Sequence, residues 1–167
     1  MKIRLFIFLL LLSLASPFVA QAAMDEAQAV LNVVSTFYKG YLTPYESNDR
    51  MYDWRKQPEI DPSFVSKIDA LLAEARKENE EYGLGYDPII MGQDAPQNME
   101  YLTPVIKGDV AEVGAYKVWS KEDIVYSLCV TLKKSDGAWR IIDVIDMDWD
   151  EWDEVLECGG LKRAPKG

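Results

Sequence analysis

The segment IVYSLCVTLKKSDGAWRIIDVIDM, residues 124 to 147, limits the possible folds more than any other part of the chain. Ile124, Tyr126, Leu128, Val130 and Leu132 occupy every second position, the period of a strand with one buried face. Ser135-Asp136-Gly137 reads as a hairpin turn, and Trp139 to Met147 as the returning strand. A lone hairpin is marginal in water, so this one needs more strands and a cover for its apolar face. Upstream, Met99 to Lys107 reads as a strand, Gly108-Asp109 as a turn, and Val110 to Trp119 as the strand that follows.

The cover lies nearer the N-terminus. Ala27, Val30, Leu31, Val34, Phe37, Tyr38 and Tyr41 recur at three- and four-residue steps, which predicts a helix. Asp25 is the expected N-cap, with Gln28 three residues on. Pro44 predicts an end between Tyr41 and Thr43. A second helix should start at Asp61-Pro62, a cap followed by proline at the first helical position. Its apolar face is Phe64, Val65, Ile68, Leu71, Leu72 and Ala75, and Gly83 or Gly85 is the expected stop. Residues 44 to 60 read as a long loop, with Tyr45, Tyr52 and Trp54 covering the edge of the core. Helices first and an antiparallel meander after them predict an α+β fold, with helices packed on one face of a curved sheet. Such a cone has an open mouth that can hold a ligand.

The first 22 residues stand apart. Lys2 and Arg4 precede an apolar run from Leu5 to Ala20, and Ala20-Gln21-Ala22 has the small-x-small pattern of a cleavage site. This reads as a secretory signal peptide over 1–22, followed by one α+β domain over 23–167. The run is short for a bilayer span, so no membrane anchoring is expected after cleavage. Export places Cys129 and Cys158 in an oxidising compartment, where a disulfide between them is favoured over two unpaired thiols. Closing that loop would contribute about 3–4 kcal/mol.

Charge and composition exclude several activities. The whole chain carries 18 basic and 28 acidic residues, and loss of Lys2 and Arg4 moves the net charge from −10 to −12. That field repels nucleic acid and favours a basic protein or a small polar or cationic ligand. With no histidine in the chain, Ser-His-Asp and Cys-His catalysis and the usual zinc sites are excluded. No cofactor is expected.

At DPIIMGQDAP, residues 87 to 96, the sequence resembles an uncharacterised family of exported bacterial proteins in the nuclear-transport-factor-like superfamily. FYKGYL, residues 37 to 42, resembles the end of that family's first helix. YSLCVTL and GAWRIIDV resemble its terminal hairpin, and the likeness covers roughly Ala27 to Val144. The resemblance implies the cone-shaped fold and no particular reaction. More distantly, the family is similar to periplasmic immunity proteins that neutralise cell-wall amidase effectors of type VI secretion.

Candidate site residues follow from chemistry. Asp87, Gln93 and Asp94, with Tyr38 and Tyr41, are the expected binding set at the cone mouth. The alternative is that Asp87 makes a turn while Gln93 and Asp94 cap backbone groups. Asp143 is the candidate catalytic residue, because a carboxylate within the apolar run IIDVID can have a raised pKa. Alternatively, it pairs with Arg140 or Lys117 or faces water. In DMDWDEWDEVLE, residues 146 to 157, Asp146, Asp148, Asp150 and Glu157 match four places of a calcium loop. The sixth place needs glycine and holds Glu151, so no metal is expected there. The stretch reads instead as an acidic C-terminal strap. Met147 and Trp149 continue the strand alternation, and Asp146 and Asp148 face water. Trp152, Val155 and Leu156 make a helical turn, and Cys158 is pinned to Cys129. The leading functional reading is an exported binding domain, ligand-binding or immunity-like. A small-pocket carboxylate enzyme comes second and a calcium-stabilised structural domain third.

Overall fold

The computed structural model describes residues 16–46, 53–79, 83–120, 124–147, 156–159 and 161–163. Two helices, α1 (Ser16–Glu46) and α2 (Pro62–Glu78), pack against five antiparallel strands. The strands are β1 (Asn98–Tyr101), β2 (Val105–Lys107), β3 (Val110–Val118), β4 (Ile124–Ser135) and β5 (Ala138–Asp146). The order is β1-β3-β4-β5, with β2 beside β1 on the same edge of β3. A small hairpin, β6 (Leu156–Cys158) and β7 (Leu161–Arg163), ends the described chain. The fold is α+β with an open curved sheet, as expected. Among the described residues no helix is long and apolar enough to cross a membrane.

The first helix is longer than its apolar period suggests. It is already formed at Ser16, nine residues before Asp25, and the alanines at 20, 22 and 23, with the highest helical propensity, favour that extension. Asp25 is therefore not a cap; it accepts a bond from Gln21 one turn back, at 2.9 Å. The helix also passes Pro44 and runs to Glu46, the last residue of that described stretch. In the last turn a proline removes only one backbone bond, and the Thr43 hydroxyl holds the Lys39 carbonyl at 2.6 Å. Its buried face, Val30, Val34, Phe37, Tyr38 and Leu42, crosses the sheet and touches both β1 and β5.

The second helix starts where predicted. The Asp61 carboxylate accepts from the Ser63 backbone N–H at 2.9 Å, and Pro62 opens the first turn. The helix ends at Glu78, ahead of both glycines, with Asn79 as its C-cap. Phe64 and Ile68 are buried, whereas Leu71 lies on the outer face. The preceding segment holds a short 3-10 turn, Trp54–Lys56, and Trp54 is buried beside Phe64. Backbone bonds from Ile141 to Glu59 and from Asp61 to Ile141 tie this segment to the outer edge of β5.

Two irregularities in the strands correct the sequence reading. The strand expected from Met99 to Lys107 is two strands, because Pro104 between them has no N–H to donate. In β5 the pairing Thr131↔Asp143 is followed by Leu132↔Ile141, which leaves Ile142 as a bulge. The bulge changes which residues face the helices. Trp139 and Ile141 point to the core before it, and Val144 after it. Asp146 therefore shares the core face with its pairing partner Leu128 and is not turned to water. Met147 takes the opposite face, in a second cluster with Cys129 and Cys158.

Cys129 and Cys158 form a disulfide with Cα atoms 5.7 Å apart. Leu156 lies in a strand, not in a helical turn; Trp149, Trp152 and Val155 lie outside the described residues. Gly159 follows with φ +51° and sits on the back of β3, where an added Cβ would be 2.2 Å from the Gly114 nitrogen. Gly114 pairs with Cys129, so the disulfide and the glycine contact fix the strap at one point on the sheet.

Two substitutions test these local causes. Gly159→Ala combines a left-handed backbone with a clash, at a cost on the order of 1–3 kcal/mol from the backbone alone. Thermal unfolding should fall by on the order of 3–10 °C with the disulfide intact. Asp61→Ala should cost about 1 kcal/mol at neutral pH. The bonds from Ser63 lower the Asp61 pKa, so the cap contributes above the ordinary carboxylate range and is lost as pH falls through the lowered value. Denaturant titrations of the variant and the parent should converge in strong acid.

Candidate functional site

The irregular segment from Gly83 to Gln97 passes over one end of the sheet, and three side chains hold it there. Asp87 and Gly92 exchange backbone bonds of 2.9 and 3.3 Å, closing a small loop around Pro88, Ile89, Ile90 and Met91. Met91 takes φ +47° at the tip. The Asp87 carboxylate caps the loop from inside, accepting from the backbone N–H groups of Ile89 at 2.7 Å and Ile90 at 3.4 Å. Its other oxygen accepts from the Tyr41 hydroxyl at 2.5 Å. The Tyr38 hydroxyl donates to the Ile89 carbonyl at 3.0 Å. Burial, with smaller effects of Tyr101 and Asp87, pushes the Tyr38 phenol well above its ordinary pKa, so it stays a donor.

Lys117 completes the clasp. It projects from β3 on the core face and is 1% exposed. Its ammonium donates to the carbonyls of Ile90 at 3.1 Å and Met91 at 3.0 Å. Asp146 lies 4.0 Å away, aimed inward by the bulge at Ile142, and the Trp119 ring lies 5.9 Å from the ammonium. A buried ammonium costs several kcal/mol of desolvation unless it is bonded and paired. Here two carbonyls and one carboxylate are among the groups that meet it. Tyr86 belongs to the same corner, and its pKa is raised by burial and then by the Asp146 charge.

The structure thus brings together Tyr38, Tyr41 and Asp87 from the expected binding set, and bonds all three within the fold. Gln93 is exposed and donates to the Gly85 carbonyl at 3.2 Å. Asp94 is exposed. Asp143 lies apart from them. It pairs with Lys67 of α2 at 2.6 Å, rather than with Arg140 or Lys117, and it also accepts from the Val144 N–H at 2.9 Å. Of the calcium-like set, Asp146 faces Lys117, a cation where a calcium ligand set would place the ion. Asp148 and Asp150 lie outside the described residues, as does the Glu157 side chain.

A half-open groove of about 350 Å³ lies between the C-terminal half of α1 and β1. Leu42, Met99 and the rings of Tyr38 and Tyr101 form its apolar part, and no carboxylate lines it. Sequence reading missed Lys117 and Tyr101 as site residues. Lys117 had a usable signal: it continues the odd-numbered buried face of Ala111, Val113 and Ala115, where a lysine needs a partner.

Lys117→Met should cost about 3–5 kcal/mol, since it strands two carbonyls and removes the Lys117–Asp146 contact. Amide exchange at Ile89 to Gly92 should accelerate beyond the rise in global unfolding. A loss below about 1 kcal/mol would show that the clasp is dispensable.

No family model matches the chain, and no curated protein matches it. Its outline is similar to a chain in two crystal structures of the type VI effector–immunity complex Tae3–Tai3 from Ralstonia pickettii. The native complex aligns with TM-score 0.48 at 21% identity over 72% of this chain and 94% of that one. The selenomethionine complex aligns with TM-score 0.45 at 21% identity over 69% of this chain and 93% of that one.

Proposed function

We propose that this chain is an exported, non-enzymatic binding domain that recognises a basic protein partner. One observation carries the reading. The two carboxylates best suited to acid–base chemistry serve the fold: Asp87 caps its own loop and holds Tyr41, and Asp143 is paired with Lys67. What remains for recognition is the acidic surface, with 28 carboxylates against 18 cations in the whole chain. Such a surface steers and selects a basic partner.

In this reading residues 1–22 are a cleaved leader and 23–167 the working domain, with a nuclear-transport-factor-like cone as its frame. The Cys129–Cys158 disulfide is compatible with the periplasm or another oxidising compartment. An immunity-like role is the narrower form of the proposal, and its basis is the resemblance carried by residues 87 to 96.

The test is capture by the immobilised domain from an envelope extract. A basic protein should be retained at low salt and released as ionic strength nears roughly 1 M, where the Debye length falls to about 3 Å. Asp143→Asn should leave capture unchanged. Turnover of a substrate that Asp143→Asn abolishes would overturn the proposal in favour of a carboxylate enzyme.

A further inference from the structure

The groove between α1 and β1 is lined by a lysine and by no carboxylate. We propose that it is a binding site for a small organic anion, a monocarboxylate on an apolar body, separate from the acidic surface that meets a protein partner.

Lys39 is the charged residue that lines the groove. Carboxylates outnumber cations in this chain, and Lys56, Lys67, Lys77 and Lys134 each hold one at 2.6–2.7 Å. Lys39 is exposed at the groove and forms no ion pair among the described residues. Its own turn of α1 offers hydroxyl and apolar neighbours, Ser35, Leu42 and Thr43, instead of an acid one turn away.

Tyr101 supplies a second donor. It lies on the core face of β1, opposite Ala115, and its ring is 6.5 Å from that of Tyr38. The Tyr38 hydroxyl is already given to Ile89, so that ring is wall only. The Tyr101 hydroxyl has no hydrogen bond among the described residues. Burial raises its pKa far above the ordinary phenol value, so it keeps its proton and can donate. Gln97 and Asn98 add exposed carboxamides at the same rim. One ammonium and several neutral donors suit a single negative charge. Leu42 and Met99 suit an apolar body, and the volume is at the small end of the range for small-molecule sites. A cationic ligand, which the net charge alone would favour, would meet Lys39 with no carboxylate in the groove to offset it.

The probes are phenylacetate, its neutral amide phenylacetamide, benzylamine, and the peptide acid acetyl-Gly-Phe. Binding to the mature, disulfide-bonded protein is followed by backbone amide shifts and titration. Phenylacetate should shift the amides of Lys39 and of Gln97 to Tyr101, and bind more tightly than phenylacetamide or benzylamine. Lys39→Gln, at an exposed position, should weaken phenylacetate by roughly tenfold or more, and Tyr101→Phe by several-fold, with the amide spectrum otherwise kept. The proposal is overturned if benzylamine binds more tightly, if no carboxylate shifts these amides at millimolar concentration, or if Lys39→Gln binds as the parent does. Binding of the peptide acid alone overturns the small-ligand assignment.

Discussion

The Lys117 ammonium is the contact on which the irregular half of the structure depends. A charged group at 1% exposure is stable only when its surroundings replace water. The carbonyls of Ile90 and Met91 and the Asp146 carboxylate do so here, the carbonyls from one feature of the fold and the carboxylate from another. The carbonyls require the loop closed by Asp87. The carboxylate requires the bulge at Ile142. The lysine requires β3 to present its odd-numbered residues to the core. Removal of any one leaves a buried group unmatched, so the loop, the strand irregularity and the sheet register stabilise one another.

The same economy explains why residues with chemical potential make no reactive centre. Asp87 accepts two backbone bonds and a tyrosine hydroxyl, which is the geometry of a cap. Asp143 is outside the core face because the bulge falls between it and Ile141. Polar groups on a loop over an apolar sheet must be bonded, and this loop uses its own side chains and those of α1 for that purpose. The open groove lies beside this corner, where Tyr101 and Lys39 are not drawn into the clasp.

On the back of the sheet the strap makes a second, smaller core of Cys129, Cys158 and Met147. The covalent link and the close seat of Gly159 on Gly114 act together. Gly114 and Cys129 are paired neighbours, so the strap touches down where one strand has no side chain and the next has a sulfur. The match explains a glycine within β3 that strand propensity would disfavour.

Local physics determined much of this protein before any tertiary contact. The 3.6-residue period of Val30 to Leu42, the Asp61-Pro62 cap and the Ser135-Asp136-Gly137 turn each act over a few residues, and all were legible. Of the candidate site, the turn at Asp87 was legible as one of two readings, but the bonds that Tyr38 and Tyr41 make to its loop were not. Helix ends, the break at Pro104 and the extra residue at Ile142 were decided by competition between local preference and distant pairing. Ile141 and Ile142 interrupt the alternation of β5 without telling which of them is the extra residue, and one inserted residue reverses the faces of everything after it. Whether Asp146 meets water or a buried lysine was therefore settled by the tertiary structure alone, because the answer depends on pairing with β4 and on a side chain that reaches across from β3.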